Sequence, residues 1–222
     1  MNATKFLAEG HTARAARIRP GCGSATALNG DASMVTATSV DRERSAIVEQ
    51  TAQAVSADQF KSAFRNHPAG VAVVSASAGG VNAALTVSSL SSLSAEPPLL
   101  VFSVSDISSS TPVVLAAETV VVHMLDAGCA WLAKLGAERG ADRFRDAEQW
   151  DVLPGGEPFF VGAPVIVRAR MVDRVRAGSS TLCIVEAVEI VDRGEAESDA
   201  ARPLVYHNRT WHELSPASTL AF

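Results

Sequence analysis

The 222-residue chain is 47% hydrophobic and 19% charged, with a net charge of −5. That describes a soluble globular protein of about one domain, and it excludes the general attraction to nucleic acid or anionic membrane that a basic chain would have. No apolar run approaches the roughly 20 residues of a membrane span, and the N-terminus lacks the roughly 7–15-residue apolar stretch of a secretory signal. Aromatic residues make up only 5%, so the core has to be built from Val, Leu and Ala. The three cysteines, Cys22, Cys129 and Cys183, stand at no metal-binding spacing and read as reduced thiols of a cytoplasmic protein.

In chain order, residues 1–55 are rich in Ala, Thr, Ser, Gly and Arg and have little hydrophobic periodicity. They read as a low-complexity, disordered arm, with a weak helix from Asp41 to Val55 and a basic targeting or interaction segment as the sharper alternative. The domain proper is placed at 56–215, followed by a short tail, 216–222. Ser56 is suited to cap a helix running to Asn66, with Phe60, Ala63 and Phe64 on one face. His67-Pro68 ends it. Ala69–Ser77 is a β-branched strand that Gly79-Gly80 turns back into a second strand, Asn82–Ser88. A hydroxyl-rich turn follows, closed by Glu96-Pro97-Pro98. Leu99–Phe102 restarts a buried strand, and Ser108–Thr111 leads into a short helix, Pro112–Ala117.

Glu118–Leu125 is a strand. Cys129–Glu138 has the pattern of a helix with Trp131, Leu132 and Leu135 inward, stopped by Gly140. Ala141–Ala147 reads as a second helical piece, and Leu153–Pro158 as a loop. Strands Pro164–Val172, Thr181–Val191, Leu204–Tyr206 and Thr210–Leu214 complete the chain. Many strands, few short helices and no βαβ rhythm predict a mainly β fold, a closed barrel with peripheral helices. There is no Walker A loop and no G-x-G-x-x-G, so a classical dinucleotide domain is absent.

Chemistry concentrates between Asn82 and Thr111. Two hydroxyl-rich turns on adjacent strands suit an anionic ligand such as a phosphate-bearing cofactor; serine-rich turns can equally be only turns. No nucleophile elbow, H-E-x-x-H or paired-carboxylate motif is present. His207 and His212 lack a cysteine or acid at ligand spacing, so no metal site is expected there. His123, within a valine-rich strand, reads as a hydrogen-bonded core histidine.

The run TVSSLSSLSAEPPLLVFSV, followed by SSST, resembles the signature of the flavin reductase-like family, the FMN-binding split β-barrel proteins. Phe64–Val74 resembles that family's first helix and strand. Asp142-Arg143-Phe144 with Trp150 resembles its D-R-F…W pattern, and Gly178–Glu186, Pro203–Tyr206 and Trp211–Leu214 resemble its closing strands. The resemblance implies a split barrel with a few peripheral short helices that binds FMN or FAD and takes hydride from NADH or NADPH. It implies a homodimer and a flavin-dependent monooxygenase as partner. The catalytic chemistry would belong to the flavin itself.

By the same resemblance, Thr86, Val87, Ser88 and Ser89 would line the flavin ring, and Ser92, Leu93 and Ser94 would continue that wall. Val73 and Val74 would flank the ring. Ser109, Ser110 and Thr111 would lie near the ribityl chain or phosphate. Arg143 and Phe144 would form a lid or phosphate contact, against the simpler readings of an ion pair with Asp142 or Glu138 for Arg143 and core packing for Phe144. His67 and Ser180 fall on the nicotinamide side. Ser180 stands where many relatives carry a histidine, in G-D-H-T. That departure leaves room for a flavin-binding module without reductase turnover, or for an oxidase or oxygenase acting on its own substrate.

Overall fold

In the computed structural model, residues 55–192 and 202–220 are described. The readings of residues 1–54, Cys22 among them, lie outside the described residues. All elements below belong to one unit, Val55–Phe222.

Helix α1 spans Ala57–Arg65 and starts where a capping box requires it. Ser56 Oγ accepts from the Gln59 N–H at 3.2 Å, and Gln59 Oε1 accepts from the Ser56 N–H at 2.9 Å. None of its residues is buried, and Phe60 and Phe64 are 56% and 58% exposed.

Strands β1 (Ala69–Gly70) and β2 (Ala72–Ala78) follow, and Gly79 and Gly80, at φ +58° and +77°, turn β2 into β3 (Val81–Val87). Both faces of β2 are buried from Ala72 to Ala76, and the one polar side chain among them, Ser75, donates its hydroxyl to the Pro158 carbonyl. Ala72, Val74 and Ala76 enter one core with Phe102, Val120, Val122 and Val185. Val73, with Val71 just before the strand, enters a second core with Val121, Leu132 and Phe160.

The remaining elements are β4 (Ser91–Ser94), β5 (Leu99–Ser105), α2 (Thr111–Ala116), β6 (Thr119–Met124), α3 (Ala130–Ala137), β7 (Trp150–Val152), β8 (Pro158–Phe160), β9 (Val165–Ala177), β10 (Ser180–Asp192), β11 (Leu204–His207) and β12 (Thr210–Glu213). Seven strands form an antiparallel sheet in the order β3-β2-β6-β9-β10-β5-β4. Strands β1, β11 and β12 make a second sheet, and β7 pairs with β8. The mainly β class holds. Closure of the barrel is not shown: β3 and β4 end the sheet order, and no described ladder joins them.

Three local expectations are corrected. Ser91–Ser94 is a strand rather than a turn, because β5 offers it an edge to pair with. Segment 141–147 is not helical. The Asp142 and Asp146 carboxylates accept the Phe144 and Glu148 N–H groups and hold turns instead. Trp131 is 36% exposed, because the buried stripe of α3 runs through Leu132, Ala133 and Gly136. A Cβ on Gly136 would lie 2.4 Å from Thr86 Oγ1, so it is glycine that lets α3 sit directly on β3. No described helix is long and apolar enough to cross a membrane.

Candidate functional site

An open cleft of about 440 Å³ lies at the C-terminal end of β3. One wall is Leu85–Val87 with Ser88 and Ser89, and Ser103 and Ser105 of β5 form the next. The turn Ile107–Ser109 and the C-terminal end of α3 with Arg139 and Arg143 complete it. The cleft therefore collects much of what the sequence singled out: Thr86, Val87, Ser88, Ser89, Ser109 and Arg143.

Backbone fastening sets its shape. The Thr86 hydroxyl donates to the Ala133 carbonyl at 2.7 Å, tying β3 to α3. Ser89 Oγ accepts from the Ser103 N–H at 2.9 Å, tying the β3–β4 connection to β5. Ser110 and Thr111 are buried, and their hydroxyls donate to the carbonyls of Ala84 and Ser105 at 2.8 and 2.6 Å. These two residues hold the turn from behind, while Ser108 and exposed Ser109 face the cleft.

Two cations, Arg139 and Arg143, and one carboxylate, Glu138, line the cleft, and Arg143 is the one fixed by hydrogen bonds. Its terminal nitrogens donate to the carbonyls of Ala141 (3.1 Å), Glu138 (2.9 Å) and Gly136 (3.4 Å), and it forms neither of the ion pairs considered from sequence. Its Nε is buried and has no partner. Burial draws its pKa down from the ordinary arginine value, and the charge of Glu138 opposes that. Carbonyls at a helix C-terminus are a natural seat for a cation. They orient the guanidinium but do not neutralise it, so the cleft keeps positive charge beside two serines.

Other expected residues lie elsewhere. Val73 and Val74 have no exposed surface, each held in a different core. Ser92, Leu93 and Ser94 lie on β4 and are not among the residues lining this cleft. Phe144 packs on Trp150 and Phe160, with ring centroids 5.0 and 5.3 Å away, as the core reading had it. His123 is fully buried: Nδ1 donates to the Val73 carbonyl at 3.0 Å, and Nε2 accepts from the Phe160 N–H at 2.9 Å. Burial lowers its pKa to about 4, so the ring is neutral and structural.

Ser180 opens β10 directly opposite Ser105 of the cleft wall. The hairpin tip beside it is clamped by a two-pronged ion pair, Arg176 to Asp106, at 2.6 and 3.2 Å. The Asp106 N–H also donates to the Ser179 carbonyl at 3.0 Å. His67 lines a different, larger groove that shares Ser88 and Ser89 with the cleft. Sequence reading missed Ser103, Ser105, Ser108, Arg139 and the Arg176–Asp106 clamp. The alternation of serine through FSVSDISS was a usable signal for the first three; nothing local pairs Arg176 with Asp106.

Among the described residues no cluster of His, Cys, Asp and Glu gathers to hold a metal. Rings of His207 and His212 lie 5.7 Å apart without a carboxylate or thiol to complete a set.

Comparison with known proteins identifies the family. The family model of the flavin reductase like domain matches residues 64–215. An NADH:FMN oxidoreductase of Rhodococcus qingshengii is 34% identical over 179 residues, covering 81% of this chain and 93% of that protein. An NADH:riboflavin 5'-phosphate oxidoreductase of Streptomyces pristinaespiralis is 32% identical over 168 residues, covering 74% and 92%. Among solved structures, a flavin reductase domain protein from Arthrobacter sp. FB24 superposes with a TM-score of 0.66 at 29% identity, over 74% of this chain and 98% of that one. With its sheet order, its serine-walled cleft and a family match over most of its length, the chain belongs to the flavin reductase-like domain family.

Proposed function

We propose that the protein is an NAD(P)H-dependent flavin reductase that binds FMN or FAD in the serine-walled cleft and supplies reduced flavin to a flavin-dependent monooxygenase. The observation that carries the binding assignment is Arg143, a cleft-lining guanidinium held by carbonyls, with an unpartnered buried Nε and no ion-pair partner. A phosphate satisfies such a group, and the Ser108 and Ser109 hydroxyls add donors beside it. The named relatives support the reaction class.

A bound flavin supplies the hydride-accepting chemistry. The chain's own contribution is placement. The ends of β3 and β5 present Ser88, Ser89, Ser103 and Ser105 as one polar wall. Their bonds to each other and to α3 fix that wall before a ligand arrives, which lowers the ordering cost of binding. Ser180, held against Ser105 by the sheet, offers a hydroxyl for orienting a nicotinamide amide but no ionisable group. Proton handling at that position is therefore left to solvent or to the ligand.

A homodimer and a cytoplasmic location belong to the same proposal. The outer face of β9, β10 and β5 pairs Val175 with Leu182 and Ile184 with Val101, and Val175 is 44% exposed. A second copy would cover that apolar row.

The deciding experiment is anaerobic stopped-flow absorbance of the flavin-loaded protein mixed with NADH and, separately, with NADPH. Rapid bleaching of the visible flavin band is expected, and the faster donor names itself. Absence of bleaching with flavin demonstrably bound would favour the alternative that Ser180 motivates, a binding module or an oxidase.

A further inference from the structure

The larger groove has features that flavin binding in the first cleft does not use. It measures about 800 Å³, within the usual range for small-molecule sites, and runs beside α1. Lys61, Arg65 and Arg209 line it, and no carboxylate does, in a chain whose net charge is −5. The Asn208 N–H donates to the Arg65 carbonyl at 3.0 Å, which brings the β11–β12 turn and its Arg209 against the end of α1. Lys61 is only loosely engaged, 3.8 Å from an Asp58 that is 96% exposed.

Phe60 and Phe64, both more than half exposed, stand with ring centroids 4.6 Å apart on the same groove, and Tyr206 lies on its floor strand. Cations without acids neutralise phosphate, and exposed rings stack on a flat heterocycle. Ser88 and Ser89 belong to both the groove and the serine cleft. A ligand with a redox ring at one end and an adenosine phosphate at the other could span the two.

We propose that this groove holds the phosphorylated adenosine end of a dinucleotide whose redox ring lies in the serine cleft. The assignment rests on the reductase reading for the identity of the ring, but the groove's own chemistry can be tested without it. Two dinucleotides carry that end, FAD and the nicotinamide donor.

The test uses the full-length protein and probes that have no redox ring. ADP and 2',5'-ADP are titrated calorimetrically at low and high salt, against the wild type and the double variant Lys61→Ala, Arg209→Gly. Both changes suit the backbone: Lys61 is on an exposed helix face, and Arg209 sits at φ +63°, where glycine is at ease. A thermal melt verifies folding. The expected result is salt-sensitive binding to the wild type that falls by about tenfold or more in the variant. FAD and FMN affinities then distinguish the sources. If FAD fills the groove, its advantage over FMN disappears in the variant. If the nicotinamide donor does, the FAD-to-FMN ratio stays fixed and KM for the donor rises. Failure of NADH oxidation with ADP binding intact would sink the reductase reading and leave the groove standing. The groove proposal is overturned if ADP does not bind, if the folded variant binds it equally well, or if the variant instead changes the oligomeric state.

Discussion

His123 shows how a single side chain can resemble a site and be part of the core. Its ring joins β6 to the Val73 carbonyl of β2 on one side and to the Phe160 N–H of β8 on the other. Protonation would turn the second bond into two facing donors. Burial holds its folded pKa near 4, below the ordinary 6.5. Because the depressed value belongs to the folded state, the unfolded chain takes up the proton first as pH falls. The stabilisation is complete above pH 6.5 and is lost progressively towards pH 4. We expect urea unfolding to show a fall of about 2 kcal/mol between pH 7 and pH 5. The variant His123→Asn, less stable at neutral pH, should lack that step. An equal fall in both proteins would assign it to another group. The histidine's burial was legible from its valine-rich strand. Its partner Phe160 was not, because β7–β8 is a three-residue pairing with too few residues to carry a period.

At the scale of elements, strong periodicity or strong turn chemistry made the long pieces readable. Gly79-Gly80 fixed the β2–β3 hairpin, and Ser56 with Gln59 fixed the start of α1. Where tertiary pairing decides, local reading fails: Ser91–Ser94 has no strand propensity worth the name and becomes β4 through β5. The face of α3 was misjudged for a related reason. Trp131 is the largest residue of the helix, but the contact with β3 is set by the smallest. Gly136→Ala would drive a Cβ to 2.4 Å from Thr86 Oγ1 and 3.0 Å from the Thr86 backbone nitrogen. The helix must then move off β3, at a cost of about 1–3 kcal/mol, despite the better helix propensity of alanine. Flavin affinity should fall with it, since Thr86 and Gly136 both line the cleft. A variant as stable as wild type in chemical denaturation, with unchanged FMN affinity, would contradict this account of the α3 seat.

For the whole molecule, class and family were legible, and so was the β3 half of the cleft's serine wall, Ser88 and Ser89. The strand order was not, because strand spacing says nothing about which strands lie side by side. Nor was the division of labour among the hydroxyls: the sequence gives no sign that Ser110 and Thr111 face inward while Ser108 and Ser109 face out. The bare outer face of β9, β10 and β5 leads to a prediction of assembly. Light scattering after gel filtration should find a dimer, and Val175→Lys with Ile184→Lys should yield a folded monomer. A wild-type monomer at working concentration would remove the dimer from the proposal.

Strand β2 has a further consequence. Ala72, Val74 and Ala76 belong to one hydrophobic core and Val73 to the other, so the two cores share one stretch of backbone. The cores are thus not separable folding units with a seam between them. Loosening one core therefore disturbs the backbone that walls the other. The serine-walled cleft, at the C-terminal end of the neighbouring β3, rests on that shared backbone. A truncation of Val73 or Val74 is therefore expected to weaken ligand binding in the cleft through loss of domain stability.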